Sequence, residues 1–179
     1  KKRAAARILE ARGKVVVPGG VEPQTHLAHF ISMHPEENLH TRGPEEDTLG
    51  MVFGGTTTHV DFCFVRPGTS IREAIDARAT RWHRNSHTGY SFHVALQGPL
   101  PLRLFDEIPE AIAAGFPSFK VFTVDVLPPH PRRPPYRLDF GHIQLTMEKL
   151  ARHGGILAVH AEDHDIVQFM YEKLFEEQR

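Results

Sequence analysis

Phe116-Pro117-Ser118-Phe119-Lys120-Val121-Phe122 is an apolar run with a lysine at its centre, and it follows the turn residue Gly115. It reads as a central, buried strand, a setting that disfavours lysine. Burial works against the ammonium form and lowers its pKa. A neutral amine is a nucleophile, and one that captures carbon dioxide becomes a carbamate, a carboxylate on a long arm. Such an anion needs cations nearby. Downstream, Ile156-Leu157-Ala158-Val159-His160-Ala161-Glu162 is a second apolar strand that ends on a histidine. Upstream, Pro23-Gln24-Thr25-His26 follows the apolar run Val15-Val16-Val17. Taken singly, these residues also read as a snorkelling lysine and two satisfied core histidines. Together, each closing a strand in a βα series, they are the parts of a metal site.

Outward from Lys120 the chain alternates. Residues 14–17 form a short predicted strand stopped by Pro18-Gly19-Gly20, and residues 21–26 continue extended, since Pro23 is excluded from a helix interior. Residues 27–43 read as a loop. Pro44 opens a helix whose first turn carries Glu45, Glu46 and Asp47, acids that its dipole favours. Leu49, Val52 and Phe53 give this helix an apolar face, and Gly54-Gly55 ends it. Residues 56–65 are β-branched and aromatic, a strand. Ser70 and Glu73 form a capping box for a helix from 71 to about 84, with Ile71, Ile75 and Trp82 turned inward. Residues 90–96 are a third long strand. Phe105, Ile108 and Ile112 mark a helix broken at Pro109. Beyond the Lys120 strand, Pro128, Pro129, Pro131, Pro134 and Pro135 make residues 125–138 a loop. Asp139 caps a helix with Ile143, Met147 and Leu150 on one face; a fifth strand at 156–160 follows, and Ile166, Val167, Met170 and Leu174 line a last helix.

Strands that alternate with helices imply an α/β fold of parallel strands joined by right-handed crossovers. A doubly wound sheet needs a glycine-rich turn between a strand and a helix. Pro18-Gly19-Gly20 precedes an extended stretch instead. A (β/α)8 TIM-type barrel gathers its site at the C-terminal strand ends, where the candidate ligands lie. Such a barrel typically takes about 250 residues, so the 179 present supply about the first five βα units.

The bulk numbers exclude several classes. Hydrophobic residues make up 40% and charged residues 24%, ordinary for a globular protein, and the net charge of −1 gives no field for nucleic acid or an anionic membrane. Arg78-Arg81-Arg84 and Arg132-Arg133 are short and balanced by acids, and read as solvated helix and loop faces. No apolar run approaches the ~20 residues that span a bilayer. Lys1-Lys2-Arg3 is not followed by the apolar segment of a signal peptide, so secretion is not expected. The single cysteine, Cys63, reads as a small buried hydrophobe, and no intramolecular disulfide is possible, which fits a reducing, cytoplasmic setting.

Four stretches carry a family resemblance. They are Val17-Pro18-Gly19-Gly20-Val21-Glu22-Pro23-Gln24-Thr25-His26-Leu27, Phe53-Gly54-Gly55-Thr56-Thr57-Thr58 with Asp61-Phe62, Ser118-Phe119-Lys120-Val121-Phe122, and Val159-His160-Ala161-Glu162. In this order they resemble the cyclic amidohydrolases, the dihydropyrimidinase and hydantoinase group, from about Gly13 to Asp165. The resemblance implies residues 1–12 as a lead-in from an N-terminal β-sandwich and 13–179 as the N-terminal part of a metal-dependent hydrolase barrel. It implies one or two divalent metals per chain, usually zinc, and a metal-bound hydroxide that attacks a ring amide carbon. His26 matches the second member of a His-x-His metal pair, and Gln24 stands at the first. Lys120 matches a bridging N6-carboxylysine, and His160 matches the fifth-strand ligand. Asp125 stands where the family often has a substrate-holding tyrosine. The aspartate expected as proton shuttle would lie beyond Arg179. The implied partners are a small cyclic amide and further copies of the chain, as a homo-oligomer. Gln24 and Asp125 also motivate an alternative, a non-catalytic homologue that serves as a scaffold or oligomer partner.

The other polar residues have smaller expected roles. Glu162 and Asp61 are candidates to orient ligand histidines. His29 reads as a loop residue near the site, His59 and His93 as strand histidines of the core or its margin, and His164 as exposed. The proline-rich loop 125–138 is expected to shape the substrate mouth.

Overall fold

The computed structural model describes residues 7–31, 37–128 and 135–178. Residues 1–6 of the lead-in, Met33 and Pro35 of the first loop, and Pro129, Pro131, Arg132, Arg133 and Pro134 of the second lie outside the described residues.

Five strands, β1 (Gly20–Thr25), β2 (Thr56–Val65), β3 (Gly89–Leu96), β4 (Ser118–Phe122) and β5 (Ile156–His160), form one sheet in the order of the chain. Every neighbouring pair is parallel. Between them run α1 (Pro44–Phe53), α2 (Ile71–Trp82), a 3-10 turn at Leu102–Glu107 that leads into α3 (Ile108–Ala113), and α4 (Phe140–His153); α5 (His164–Glu176) follows β5. Strand order that never reverses is the order of a barrel wall and not of a doubly wound sheet. The chain forms a half-barrel of five βα units. Among the described residues no helix is long and apolar enough to cross a membrane.

Local chemistry explains most boundaries. The Ser70 hydroxyl accepts from Glu73 N–H while Glu73 accepts from Ser70 N–H, the reciprocal cap expected for α2. The Asp139 carboxylate caps α4 through His142 N–H at 3.0 Å, and Gly154 ends that helix at φ +78°, a left-handed conformation suited to glycine. Pro109 sits in the first turn of α3, where a missing N–H costs nothing.

Alternation divides each strand between two faces. Cys63 and Val65 of β2, Phe92, Val94 and Leu96 of β3, and Phe119 and Val121 of β4 are buried against the helices with Ile71, Ile75, Trp82, Phe105 and Ile108. The opposite face carries Phe62, Phe64, His93, Lys120, Phe122 and His160. Cys63 lies on the helix side at 1% exposure, and burial pushes its thiol up to about 12. The native protein is therefore expected to leave a thiol reagent unconsumed at neutral pH and to react fully in denaturant. Rapid native labelling would contradict this burial.

Five expectations need correction. Residues 14–17 form no strand, and Val15, Val16 and Val17 are 70–89% exposed. The first strand is β1, which pairs with β2 on one side and accommodates Pro23 within the register shift between Glu22 and Thr25. In α1 the apolar Leu49, Val52 and Phe53 face outward, and Pro44 and Thr48 are the buried positions. Met147 of α4 is exposed and Thr146 takes its place inside. No residue of α5 is buried, with Ile166 and Met170 exposed. Arg78 is not solvated: it continues the inward stripe Ile71, Ile75, Trp82 of α2.

Candidate metal and substrate site

At the C-terminal ends of the strands the inward residues open onto a cavity of about 640 Å3. Gln24, His26, Lys120 and His160 all line it, so the strand ends bring together the four residues expected to hold metal. Phe62, Phe64 and Phe122 form its aromatic wall. His26 stacks on Phe62 at 4.8 Å between centroids, and His160 lies 5.5 Å from Phe122.

Lys120 is half-buried, and burial alone moves its amine below the ordinary lysine value. Its Nζ lies 5.3 Å from the Phe122 ring, and among the described residues it has no carboxylate partner. Burial first, and then neighbouring His29, hold the His26 imidazole below its usual value, so the ring is neutral near pH 7. His160 Nε2 lies 3.0 Å from the Glu162 carboxylate, the orienting contact expected of a ligand histidine. Thr123 of the β4 end donates both its N–H and its hydroxyl to the His160 carbonyl, each at 3.0 Å, which ties the two strand ends together.

The segment that carries His26 is held by a buried ionic cluster. Asp61 of β2 is fully buried. Its Oδ2 accepts Leu27 N–H at 2.8 Å and its Oδ1 accepts from the Arg78 guanidinium at 3.0 Å. The same Arg78 nitrogen donates to the Leu27 carbonyl at 2.5 Å. That uses both of its hydrogens, so the His29 Nε2 contact to Asp61 Oδ1 at 2.9 Å is best met by His29 carrying its proton on Nε2. Arg78 also lies 4.1 Å over the Trp82 ring. Burial pushes the Asp61 carboxyl up, but the His29 bond, Arg78 and Leu27 N–H outweigh it, and the group sits below the ordinary carboxylate value. His29 lines the cavity, yet its Nε2 is committed to Asp61 and is not free to bind metal.

Other histidines are similarly committed. His59 is fully buried and accepts from Trp82 Nε1–H at 2.9 Å, with Thr88 Oγ1 2.8 Å from its other nitrogen. His93 faces the sheet interior, but its Nε2 donates to the Pro23 carbonyl at 2.7 Å and its Nδ1 meets Ser118 Oγ at 2.6 Å. It locks β1, β3 and β4 together.

No protein-family model matches the chain. It is 31% identical to a D-hydantoinase of Geobacillus stearothermophilus across 97% of this chain and 35% of that protein. It is 27% identical to the dihydropyrimidinase of Rattus norvegicus across 90% of this chain and 29% of that one. The solved D-hydantoinase of Bacillus sp. AR9 superposes with a TM-score of 0.79 at 28% identity, covering 98% of this chain and 36% of that structure. The chain is similar to the cyclic amidohydrolases, the hydantoinase and dihydropyrimidinase group, across nearly its whole length. It spans about a third of the length of the curated relatives it matches.

Two positions, Asp125 and His164, differ from expectation. Asp125 does not line the cavity. Its Oδ1 accepts the N–H groups of Tyr136 and Arg137 at 2.6 and 3.0 Å, and its own N–H donates to His164 Nδ1 at 3.3 Å. The carboxylate is spent on closing the proline-rich loop, and His164 is half-buried rather than exposed. Among its described residues the loop contributes Val126 and Tyr136 to the cavity, with Tyr136 packed against Phe122 at 5.6 Å. No periodicity points to Tyr136, because it reaches the cavity from irregular backbone. Phe64 and Phe122 were readable by counting in twos from Lys120 and Phe62.

The fit of these residues to a divalent metal turns on Lys120. Among the described residues no group of three or more His, Cys, Asp or Glu is placed to hold a metal ion. His26 and His160 supply two imidazoles, and an ammonium beside them would repel a cation. A carbamate on Lys120 converts that repulsion into an anionic third ligand, and the donor set then fits. Gln24 adds only a neutral amide oxygen, a weaker ligand for zinc than imidazole.

Proposed function

We propose that the protein hydrolyses the C–N bond of a cyclic amide of the hydantoin or dihydropyrimidine type, with a divalent metal, zinc by resemblance, held by His26, His160 and a carboxylated Lys120. The observation that carries this reading is Lys120 itself: a half-buried amine of lowered pKa, without an acid partner among the described residues, in one cavity with two histidines. A metal bound there supplies an activated water and polarises the amide carbonyl. The chain's own residues position the parts. Asp61 and Arg78 hold the backbone beside His26, Glu162 orients His160, and Phe62, Phe64 and Phe122 offer the ring an apolar wall.

The test is metal content of the natural-length protein, purified without added metal, alongside hydrolysis of hydantoin and dihydrouracil. Stoichiometric metal with turnover supports the reading. A well-folded protein that holds no metal and opens neither ring would favour the non-catalytic scaffold. Gln24 sets the stoichiometry. Gln24→His adds an imidazole at a position that lines the cavity, and metal per chain is expected to rise from about one toward about two equivalents. Unchanged content after the substitution would show that this position does not reach the metal.

A further inference from the structure

We infer that Arg66, braced by Gln97, reads a carboxylate on the bound ring, so that the preferred substrates are cyclic amides bearing an anionic substituent. This rests on the ring-amide reading above and names its substrate class.

Arg66 directly follows β2 and continues the cavity-facing series of Phe62 and Phe64. Its root is fixed. The Arg66 N–H donates to Thr69 Oγ1 at 3.3 Å, and the Arg66 carbonyl accepts from the Thr69 hydroxyl at 2.9 Å and from Thr69 N–H at 3.1 Å. Its Nε donates to Gln97 Oε1 at 3.4 Å. Gln97 is only 3% exposed, and its backbone N–H is bonded to the Val65 carbonyl at 3.0 Å, so the brace is itself anchored. The guanidinium is therefore oriented through Nε, while among the described residues its two terminal nitrogens make no hydrogen bond.

Charge accounts for what those nitrogens await. None of the described residues that line the cavity is an acid. Among the described residues Arg66 makes no ion pair, unlike Arg78, whose guanidinium is matched by Asp61 in the same molecule. A guanidinium with two parallel N–H groups fits a carboxylate in a bidentate, charge-assisted pair, and does so better than an ammonium. A neutral ring offers Arg66 at most a carbonyl. A ring carrying a carboxylate offers the full pair, which is expected to favour it by about tenfold to a hundredfold.

The test uses dihydroorotate and dihydrouracil, which share one ring and differ by a carboxylate. Binding by calorimetry and hydrolysis are both measured on the natural-length, metal-loaded protein and on its Arg66→Met and Arg66→Lys variants. The wild type is expected to bind dihydroorotate at least about tenfold more tightly. Arg66→Met should collapse that ratio towards unity, and Arg66→Lys should restore part of it. Equal affinity of the wild type for both rings overturns the inference, as does an Arg66→Met variant that weakens both equally. If Arg66→Met does not fold, the wild-type ratio and its reduction in Arg66→Lys decide. A protein that binds with the expected preference but opens neither ring keeps this inference and overturns the hydrolase reading. One that opens both rings without preference does the reverse.

Discussion

Lys120→Ala is expected to remove the metal and lower kcat/KM on a ring amide by on the order of a thousandfold, since metal-derived stabilisation is worth several kcal/mol and each ~1.4 kcal/mol is tenfold. The fold should survive, because Lys120 projects from β4 into the cavity while Phe119 and Val121 on the opposite face carry the packing. Lys120→Arg separates charge from chemistry. It keeps a cation on a long arm but cannot form a carbamate at neutral pH, so it should fail as completely as alanine. Added acetate or propionate should return part of the activity to Lys120→Ala by standing in for the missing carboxylate, and should do nothing for Lys120→Arg, whose side chain fills the space. Metal analysis and turnover on the three proteins check this. An alanine variant that kept both would remove the lysine from the site.

Asp61→Ala is expected to destabilise the protein by about 3–5 kcal/mol, because it leaves a buried Arg78 guanidinium without its counter-charge. The Leu27 N–H and the His29 ring lose their acceptor at the same time. Urea unfolding of wild type and variant checks the magnitude, and a loss below about 1 kcal/mol would mark the pair as an exposed one. The cluster also predicts the acid response. Asp61 titrates below its ordinary 3.8 in the folded state, so its contribution is present above that pH and is lost as pH falls through the folded value. His29, lowered chiefly by burial from 6.5, has the same sign: stability is present above 6.5 and declines as the ring is forced to charge. Stability should therefore fall with acid in two stages, a shallow one beginning near 6.5 and a steeper one below 3.8.

Where local chemistry decides structure, the sequence could be read to the residue. The Ser70–Glu73 and Asp139 caps rest on contacts within a few positions, and β2 and the inward Ile71, Ile75 and Trp82 are marked by patterns of residue type that repeat within a few positions. The misreadings arise where a partner far along the chain decides. Val15-Val16-Val17 has high strand propensity, but nothing pairs with it, and the pairing with β2 falls on Gly20–Thr25. Thr48 looks like a surface residue of α1, yet it is fully buried because its hydroxyl accepts His87 N–H at 2.9 Å and donates to the Pro44 carbonyl. Arg78 carries a charge that argues for solvent, and only Asp61 on the neighbouring strand explains its burial. The same holds for the site. His26 and His160 were legible as strand-end residues and Lys120 as the centre of its strand, whereas Asp125 leaves the role its position suggests and Tyr136, to which no pattern points, lines the cavity, since a loop's course is set by its anchors.

The two-faced strands have a practical consequence for engineering. Consecutive residues of β2 and β4 belong to different tasks, with Cys63, Val65, Phe119 and Val121 against the helices and Phe62, Phe64 and Phe122 in the cavity. A combinatorial library confined to Phe64, Gln97, Phe122 and Tyr136 would diversify the cavity wall while leaving the helix-facing residues of β2 and β4 untouched. Moving from Phe64 and Phe122 to the neighbouring Val65 and Val121 would instead spend diversity on the helix-facing core. The pleat thus works as a built-in mask, and it separates tunable codons from forbidden ones at single-residue resolution.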